Sequence, residues 1–150
     1  MTPLKLLQTL QKSLQSATQN FKYGAQHQDA KKISVYLGRL PAQNFETDNF
    51  YPIVLVELFG VDEDVEESIA QVLISIWTYA GLENEGYIEL LNISENIRKF
   101  LLENKILDGE FLLQLPLSFG VAETDSDNFI CGNFLVEYRG FVHDNDYLEV

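Results

Sequence analysis

The sequence predicts an α+β fold: a sheet of four to five strands, with one helix before it and one in mid-chain, both packed upon it. Three observations predict this. Residues 51–79, YPIVLVELFGVDEDVEESIAQVLISIWTY, hold two dense apolar runs, 53–59 and 69–79, split by an acidic linker. Both runs are rich in Val, Ile and aromatics, the residues that fit a pleated, buried surface, and runs this apolar are expected at the centre of a sheet. Leucines near the N-terminus recur at three- and four-residue steps, the helical period. The last third alternates apolar and polar residues at period two, as strands do.

In chain order, Leu4, Leu7, Leu10, Leu14, Ala17 and Phe21 share one face of a first helix. Thr2 can cap it, Pro3 occupies the tolerated first position, and Gly24 supplies a stop. A polar stretch, 25–32, leads to a short strand at 33–37, where Ile33, Val35 and Leu37 lie on one side and Ser34 and Tyr36 on the other. Gly38 and Pro41 end it. Residues 39–52, RLPAQNFETDNFYP, form a loop carrying the aromatics Phe45, Phe50 and Tyr51. Aromatics on a loop are either contact residues or tucked back onto the fold.

Residues 53–59 make the first central strand. Glu57 interrupts its apolar run, so it marks the exposed side of the sheet or is paired across it, because an unpaired buried charge is costly. Asp62, Glu63, Asp64, Glu66 and Glu67 follow as a block of negative charge. A calcium loop would need the DxDxDG pattern with a mid-loop glycine and a later Glu, and neither is present. The block reads as a solvated hairpin tip joining residues 53–59 to 69–79. The second run has β-branched residues on both sides, which favours a buried strand over a helix.

After a polar turn at 81–86, Tyr87, Leu90, Leu91, Ile93, Ile97, Phe100 and Leu101 mark the second helix. Asn84, Glu85 and Glu89 stand near its start and Arg98, Lys99 and Lys105 near its end, complementing the helix dipole. Asp108-Gly109 closes the segment. In FLLQLPLSFG, Phe111, Leu113, Leu115, Leu117 and Phe119 share a face, and Pro116 makes this an edge strand or a bulged one. ETDSDN is a turn. In FICGNFLVEYRGFV, Ile130, Phe134, Val136, Tyr138 and Val142 face one way and Cys131, Asn133, Leu135, Glu137 and Arg139 the other.

The 150 residues suit one domain: an N-terminal helix and linker at 1–32, a core at 33–142 and a polar tail at 143–150. There is no internal repeat. No apolar run approaches the roughly 20 residues of a membrane span, and the N-terminus lacks an apolar signal segment, so the expectation is a protein made and used in the cytoplasm. The single cysteine, Cys131, excludes an internal disulfide and a cysteine-based zinc site.

The net charge of −13 is unevenly placed. Lys5, Lys12, Lys22, Lys31, Lys32 and Arg39 precede residue 41, where Asp29 is the only acid; the other twenty-two acids follow, against Arg98, Lys99, Lys105 and Arg139. Such a chain is unsuited to wrapping DNA, which needs clustered bases. Its acidity serves solubility, or a surface that DNA passes without sticking.

No catalytic constellation emerges. His27 lies in a polar linker and His143 in the tail, with neither a neighbouring nucleophile nor a metal-ligand spacing. GxSxG, phosphate-binding glycine loops and GxGxxG are absent. Cys131 lies within a strand and reads as a small core residue. The expectation is therefore no enzyme, no cofactor and no metal.

The central block FYPIVLVELFGVDEDVEES, the strand ending WTYAG, the helix NEGYIELLNISENIRKFLLEN, and the closing GEFLLQLPLSF and NFICGNFLVEYRG resemble the tail terminators of long-tailed bacteriophages and prophages of Gram-positive hosts. The resemblance spans roughly residues 33–142 and leaves the N-terminal helix outside it; its motifs are structural rather than catalytic. It implies helices on a mostly antiparallel sheet, and a ring, typically of six copies, on the head-proximal end of the tail tube in the virion. There such a ring stops tube polymerisation and offers a docking face to the head connector, while DNA passes its channel without specific binding. It also implies that Asp62, Glu63, Asp64, Glu66 and Glu67 face the lumen or the partner-binding rim, and that Phe45, Phe50 and Tyr51 serve an interface. The same motifs fit a head–tail joining or tail-completion protein. A third possibility, from another class, is a small acidic host binding module that mimics DNA.

Overall fold

The computed structural model describes residues 2–19, 33–39, 52–124 and 127–141. The elements are α1 (Pro3–Thr18), β1 (Ser34–Leu37), β2 (Ile53–Glu63), β3 (Glu67–Tyr79), α2 (Glu85–Glu103), β4 (Ile106–Leu107), β5 (Phe111–Ala122) and β6 (Phe129–Phe141). The strands form one curled sheet in the order β1-β2-β3-β6-β5-β4. The α+β class stands. The sheet has six strands rather than four to five, and it is mixed, because β1 runs parallel to β2 while the other pairs are antiparallel. The chain length between β1 and β2 permits this: a parallel pair needs a crossover of roughly a dozen residues or more, and the segment there is long enough.

One face of the sheet carries the core. Val54 and Val56, then Ala70, Val72, Ile74 and Ile76, then Phe134, Val136 and Tyr138, with Phe111 and Leu113, meet Leu6, Leu10 and Leu14 of α1 and Leu90, Ile93, Ile97 and Leu101 of α2. On the opposite face Ile53 and Leu55 are buried among Tyr36, Trp77, Tyr79 and Phe129 in a second, smaller cluster. The Tyr79 and Phe129 rings meet edge-on at 5.9 Å. β3 is central, as expected. β2 is central only over its first four residues, where β1 covers it. Its distal half is more exposed, and Phe59 is 68 % exposed.

The buried row of α1 is Leu6, Leu10, Leu14 and Thr18, a strict four-residue step. Leu7 packs beside it, whereas Leu4 is exposed, so the expected face was rotated at its start. Thr2 is the N-cap but makes no side-chain capping bond, and Pro3 begins the helix. Phe21, Gly24 and Pro41 lie outside the described residues. The polar side of α1 has its own structural task. Gln15 Nε2 donates to the Ile33 carbonyl at 2.9 Å and Gln15 Oε1 accepts the Val35 N–H at 3.0 Å, while Gln11 Nε2 donates to the Val35 carbonyl at 3.1 Å. These amides take the place of a neighbouring strand and close the outer edge of β1. Gln15→Leu is expected to cost about 1–3 kcal/mol, because it leaves Val35 N–H and Ile33 C=O without partners. Gln8→Ala, at an exposed position of the same helix, should stay within about 0.5 kcal/mol in the same denaturant titration.

In α2 the buried row is Gly86, Leu90, Ile93, Ser94, Ile97 and Leu101. Tyr87 and Leu91 point outward, contrary to expectation, and Phe100 is partly buried against the core. Gly86 lies in the buried row because α2 begins by crossing the end of β3: its N–H donates to the Ala80 carbonyl at 2.9 Å and its own carbonyl accepts the Thr78 hydroxyl at 2.7 Å. The expected basic end is displaced, since the last turn contains no base. Arg98 instead forms a two-pronged pair with Glu95, at 2.7 and 2.9 Å. Asn104 closes the helix through the Phe100 carbonyl.

Asp108-Gly109 does more than end a helix. Both residues have positive φ (53° and 65°), and Glu110 N–H donates to the Leu107 carbonyl at 3.0 Å. Asp108 and Gly109 are the two left-handed central residues that Asp-Gly favours, and with Glu110 they make the three-residue loop of the short β4–β5 hairpin, in which Leu107 pairs with Phe111. Lys5 holds the turn to the start of α1, at 2.7 Å from Glu110 and 3.6 Å from Asp108.

In β5 the register slips between Gln114 and Ser118, around the cis Leu115–Pro116 peptide. The slip turns Leu115 out to 56 % exposure, while Phe111 and Leu113 stay buried and Leu117 and Phe119 pack against the core. The bulge anticipated from Pro116 is present, and it breaks the single face expected of this strand. β6 keeps its alternation, with Phe134, Val136 and Tyr138 inward; Val142 lies outside the described residues. The Tyr138 hydroxyl is buried with no hydrogen-bond partner among the described residues, and burial pushes its pKa up. Tyr138→Phe is expected to leave stability unchanged or raise it by about 1 kcal/mol, since it removes a polar group whose desolvation is uncompensated. A thermal melt checks this.

Candidate functional site

The most distinctive charged feature is the far end of the β2–β3 hairpin. Register pairs Val61 with Ala70, Asp62 with Ile69 and Glu63 with Ser68, so Asp62 and Glu63 belong to β2 and Glu67 opens β3. Only residues 64–66 are the turn. The Asp64 carboxylate builds that turn: Oδ1 accepts the N–H of Glu66 at 2.8 Å and of Glu67 at 2.9 Å. The Asp64 N–H donates to the Glu67 carbonyl at 2.9 Å. Those two backbone donors hold the Asp64 carboxyl below its ordinary pKa.

A lowered native pKa means that the Asp64 contribution is complete above the unfolded value. It is lost as pH falls through the lowered one. The Glu66 and Glu67 amide resonances should therefore shift together on acidification, with a midpoint below the ordinary Asp value of about 4. Asp64→Ala should abolish that titration in an NMR pH series.

Of the five acids singled out in the sequence, the structure brings all to this hairpin end, Asp62, Glu63, Asp64 and Glu66 exposed and Glu67 half-buried. They do not converge on a ligand position. Glu67 lies 3.7 Å from Arg139 on β6, and Asp62 lies 3.5 Å from the Gln71 side chain. Among the described residues no group of three His, Cys, Asp or Glu side chains is placed to hold a metal ion. The acids share the hairpin end with Leu58, Phe59, Val61 and Val65, of which Val65 at the turn is 78 % exposed. Acidic side chains thus stand beside exposed apolar ones at this end of the sheet.

These exposed apolar residues were not anticipated. The reading of residues 53–59 as a central strand hid Leu58 and Phe59. The available signals were Glu57 and Gly60, which bracket them: the ladder slips between Leu58 and Gly60, and that bulge leaves Phe59 outside the pairing. Glu57 itself is half-buried, opposite Leu73.

Phe45, Phe50 and Tyr51, and both histidines, lie outside the described residues. Cys131 is buried on the face opposite the helices, its Sγ 3.5 Å from Asn133 Oδ1, and burial pushes the thiol pKa up to about 11. That environment disfavours the thiolate and so a nucleophilic role. Two shallow grooves run along α1, one of about 410 Å³ lined by Lys12, Ser13, Ser16, Ala17 and Phe100. They bring together no acid–base pair. No described helix is long and apolar enough to cross a membrane. No family model and no curated protein matches the chain.

Proposed function

We propose that this protein is a phage tail terminator: a structural, non-catalytic protein that assembles as a ring, six copies in the family form, on the head-proximal end of the tail tube. There it stops tube polymerisation and offers the docking face for the head connector. The observation that supports the reading is the end of the β2–β3 hairpin, where the exposed acids Asp62, Glu63, Asp64 and Glu66 stand beside the exposed apolar residues Leu58, Phe59, Val61 and Val65. It lies within residues 33–142, over which the motifs resemble the family. An acidic rim repels the phosphate backbone, which suits a channel that DNA must traverse without sticking. An apolar edge supplies the contact that ring closure or tube capping requires.

The DNA-mimic alternative asks for a continuous acidic face at phosphate-like spacing. Several acids here are instead paired with bases locally: Glu110 and, at longer range, Asp108 with Lys5, Glu95 with Arg98 and Glu67 with Arg139. Head–tail joining shares the ring and the acidity and is separated from termination by experiment. Purified protein added to polymerising tail-tube protein should yield short tubes capped at one end, their length falling as its concentration rises. Tubes of unchanged length distribution contradict termination, and protein bound to filled heads but not to tubes points to joining.

A further inference from the structure

Both described helices pack on the same face of the sheet, α1 over β1 and β2 and α2 over β3 and β6. On the other face, among the described residues, no helix packs, yet Ile53 and Leu55 are buried there. Their neighbours Tyr36, Trp77, Tyr79 and Phe129 are themselves only partly buried. Register sets Trp77 beside Ile53 and Ser75 beside Leu55, and Ser75 is buried as well. The Trp77 indole N–H is buried with no hydrogen-bond partner among the described residues, a costly state for a donor that finds an acceptor in most buried settings. Farther across the same face, on β6, Leu135 is exposed. The burial is therefore local to the start of β2 and the end of β3.

Chain geometry says what lies over this patch. β1 and β2 are adjacent and parallel, with Ser34 level with Ile53 and Leu37 level with Val56. Their connection must return the whole length of β1 before β2 can begin. The helical face above these strands is taken, because Leu6, Leu10 and Leu14 of α1 meet Val35, Val54 and Val56 there, all buried. The outer edge of β1 is taken too, by the Gln11 and Gln15 side chains. Handedness gives the same answer independently. β3 and β5 are parallel to each other and are joined through α2 on the helical face. The step from β1 to β2 goes the same way across the sheet, along strands that run the opposite way. Two crossovers of one hand then lie on opposite faces, and crossovers between parallel strands are nearly always right-handed.

We infer that the connection between β1 and β2, residues 40–51, crosses the face opposite the helices and packs on Ile53, Leu55 and Trp77 as a second core. The segment brings the rings of Phe45, Phe50 and Tyr51 together with Leu40. Its backbone carbonyls are acceptors of the kind that the Trp77 N–H lacks. Those rings then serve the fold rather than a contact between subunits, and this part of the sheet is interior rather than a docking surface. None of this depends on the ring reading above.

Trp77 is the only tryptophan, so its fluorescence reports on this face alone. In the full-length wild type its emission is expected to be blue-shifted, shielded from acrylamide and unchanged on dilution. NMR of the labelled protein should show NOEs from the Ile53 and Leu55 methyls to rings at 45, 50 or 51. Phe50→Ser/Tyr51→Ser is expected to red-shift the Trp77 emission and open it to acrylamide while the helical circular dichroism is retained. If that variant does not fold, the wild-type NOEs decide alone. Emission like wild type from the folded variant overturns the assignment, as does a freely quenched Trp77 in wild type or NOEs from these rings to Leu6 and Leu10 instead. In an equal mixture of labelled and unlabelled chains, methyl–ring NOEs between molecules, or shielding that fades on dilution, would make a second copy the occupant and overturn it as well.

Discussion

Gly86→Ala is expected to destabilise the protein by about 3 kcal/mol, at the upper end of what overpacking costs. Ordinarily the exchange would help, because alanine is better than glycine in a helix by about 1 kcal/mol. Here the added Cβ would overlap the backbone of Tyr79 and Ala80. Backbone cannot rotate away as a side chain can, so the first turn of α2 must lift off the end of β3. Lifting it breaks the bond from Gly86 N–H to the Ala80 carbonyl and the bond from the Thr78 hydroxyl to the Gly86 carbonyl. For a chain of this size the loss corresponds to a fall in Tm of roughly 10 °C. A calorimetric melt of the variant checks it, and an unchanged or raised Tm would show that the helix start is free to shift. By contrast, an alanine at Gly109 meets no atom within 4 Å, so its cost comes only from the positive φ of 65°.

Phe134→Ala is expected to cost about 4 kcal/mol, within the range for emptying a buried aromatic site. Phe134 is 1 % exposed at the middle of β6, between β3 and β5, and its ring lies 4.7 Å from that of Phe119. The ring reaches the cluster into which both helices press, so a cavity there cannot be filled without moving α2 or the sheet. Leu135→Ala supplies the contrast: the next residue points to the other face and is 42 % exposed, so its loss should stay near 1 kcal/mol or below. Chemical denaturation of the pair measures the difference directly. Equal losses would mean that β6 is slipped by one residue, since a slip of one reverses every side chain.

Where the sequence was legible, one physical signal dominated. β3 is β-branched and apolar on both sides and β6 carries a period of two, and their register runs through thirteen consecutive pairs from Glu67↔Phe141 to Tyr79↔Phe129. The acidic turn was readable as a hairpin because Asp64 and its neighbours offer nothing to bury. Where two signals competed, the weaker one was lost. Leu4, Tyr87 and Leu91 are apolar and near the helical period, yet the sheet accepts only a narrow stripe and leaves them outside. The β4 strand is two residues long and follows a strongly periodic helix, so only the Asp-Gly pair announced it. The parallel pairing of β1 depended on crossover length, which no single residue displays.

The candidate site divides the same way. The acidic residues were visible from composition, because charge clusters are local in sequence. The exposed apolar residues beside them were not, because Phe59 looks like a core residue until the slip between Leu58 and Gly60 is known.

The most direct test of the proposed termination role is deletion of this reading frame from the genome that encodes it, followed by induction and negative-stain electron microscopy of the lysate. Tails of excessive, uncontrolled length without attached heads are the predicted result. Tails of normal length beside filled, unjoined heads would assign the protein to head–tail joining, and intact virions would contradict a structural role in the tail.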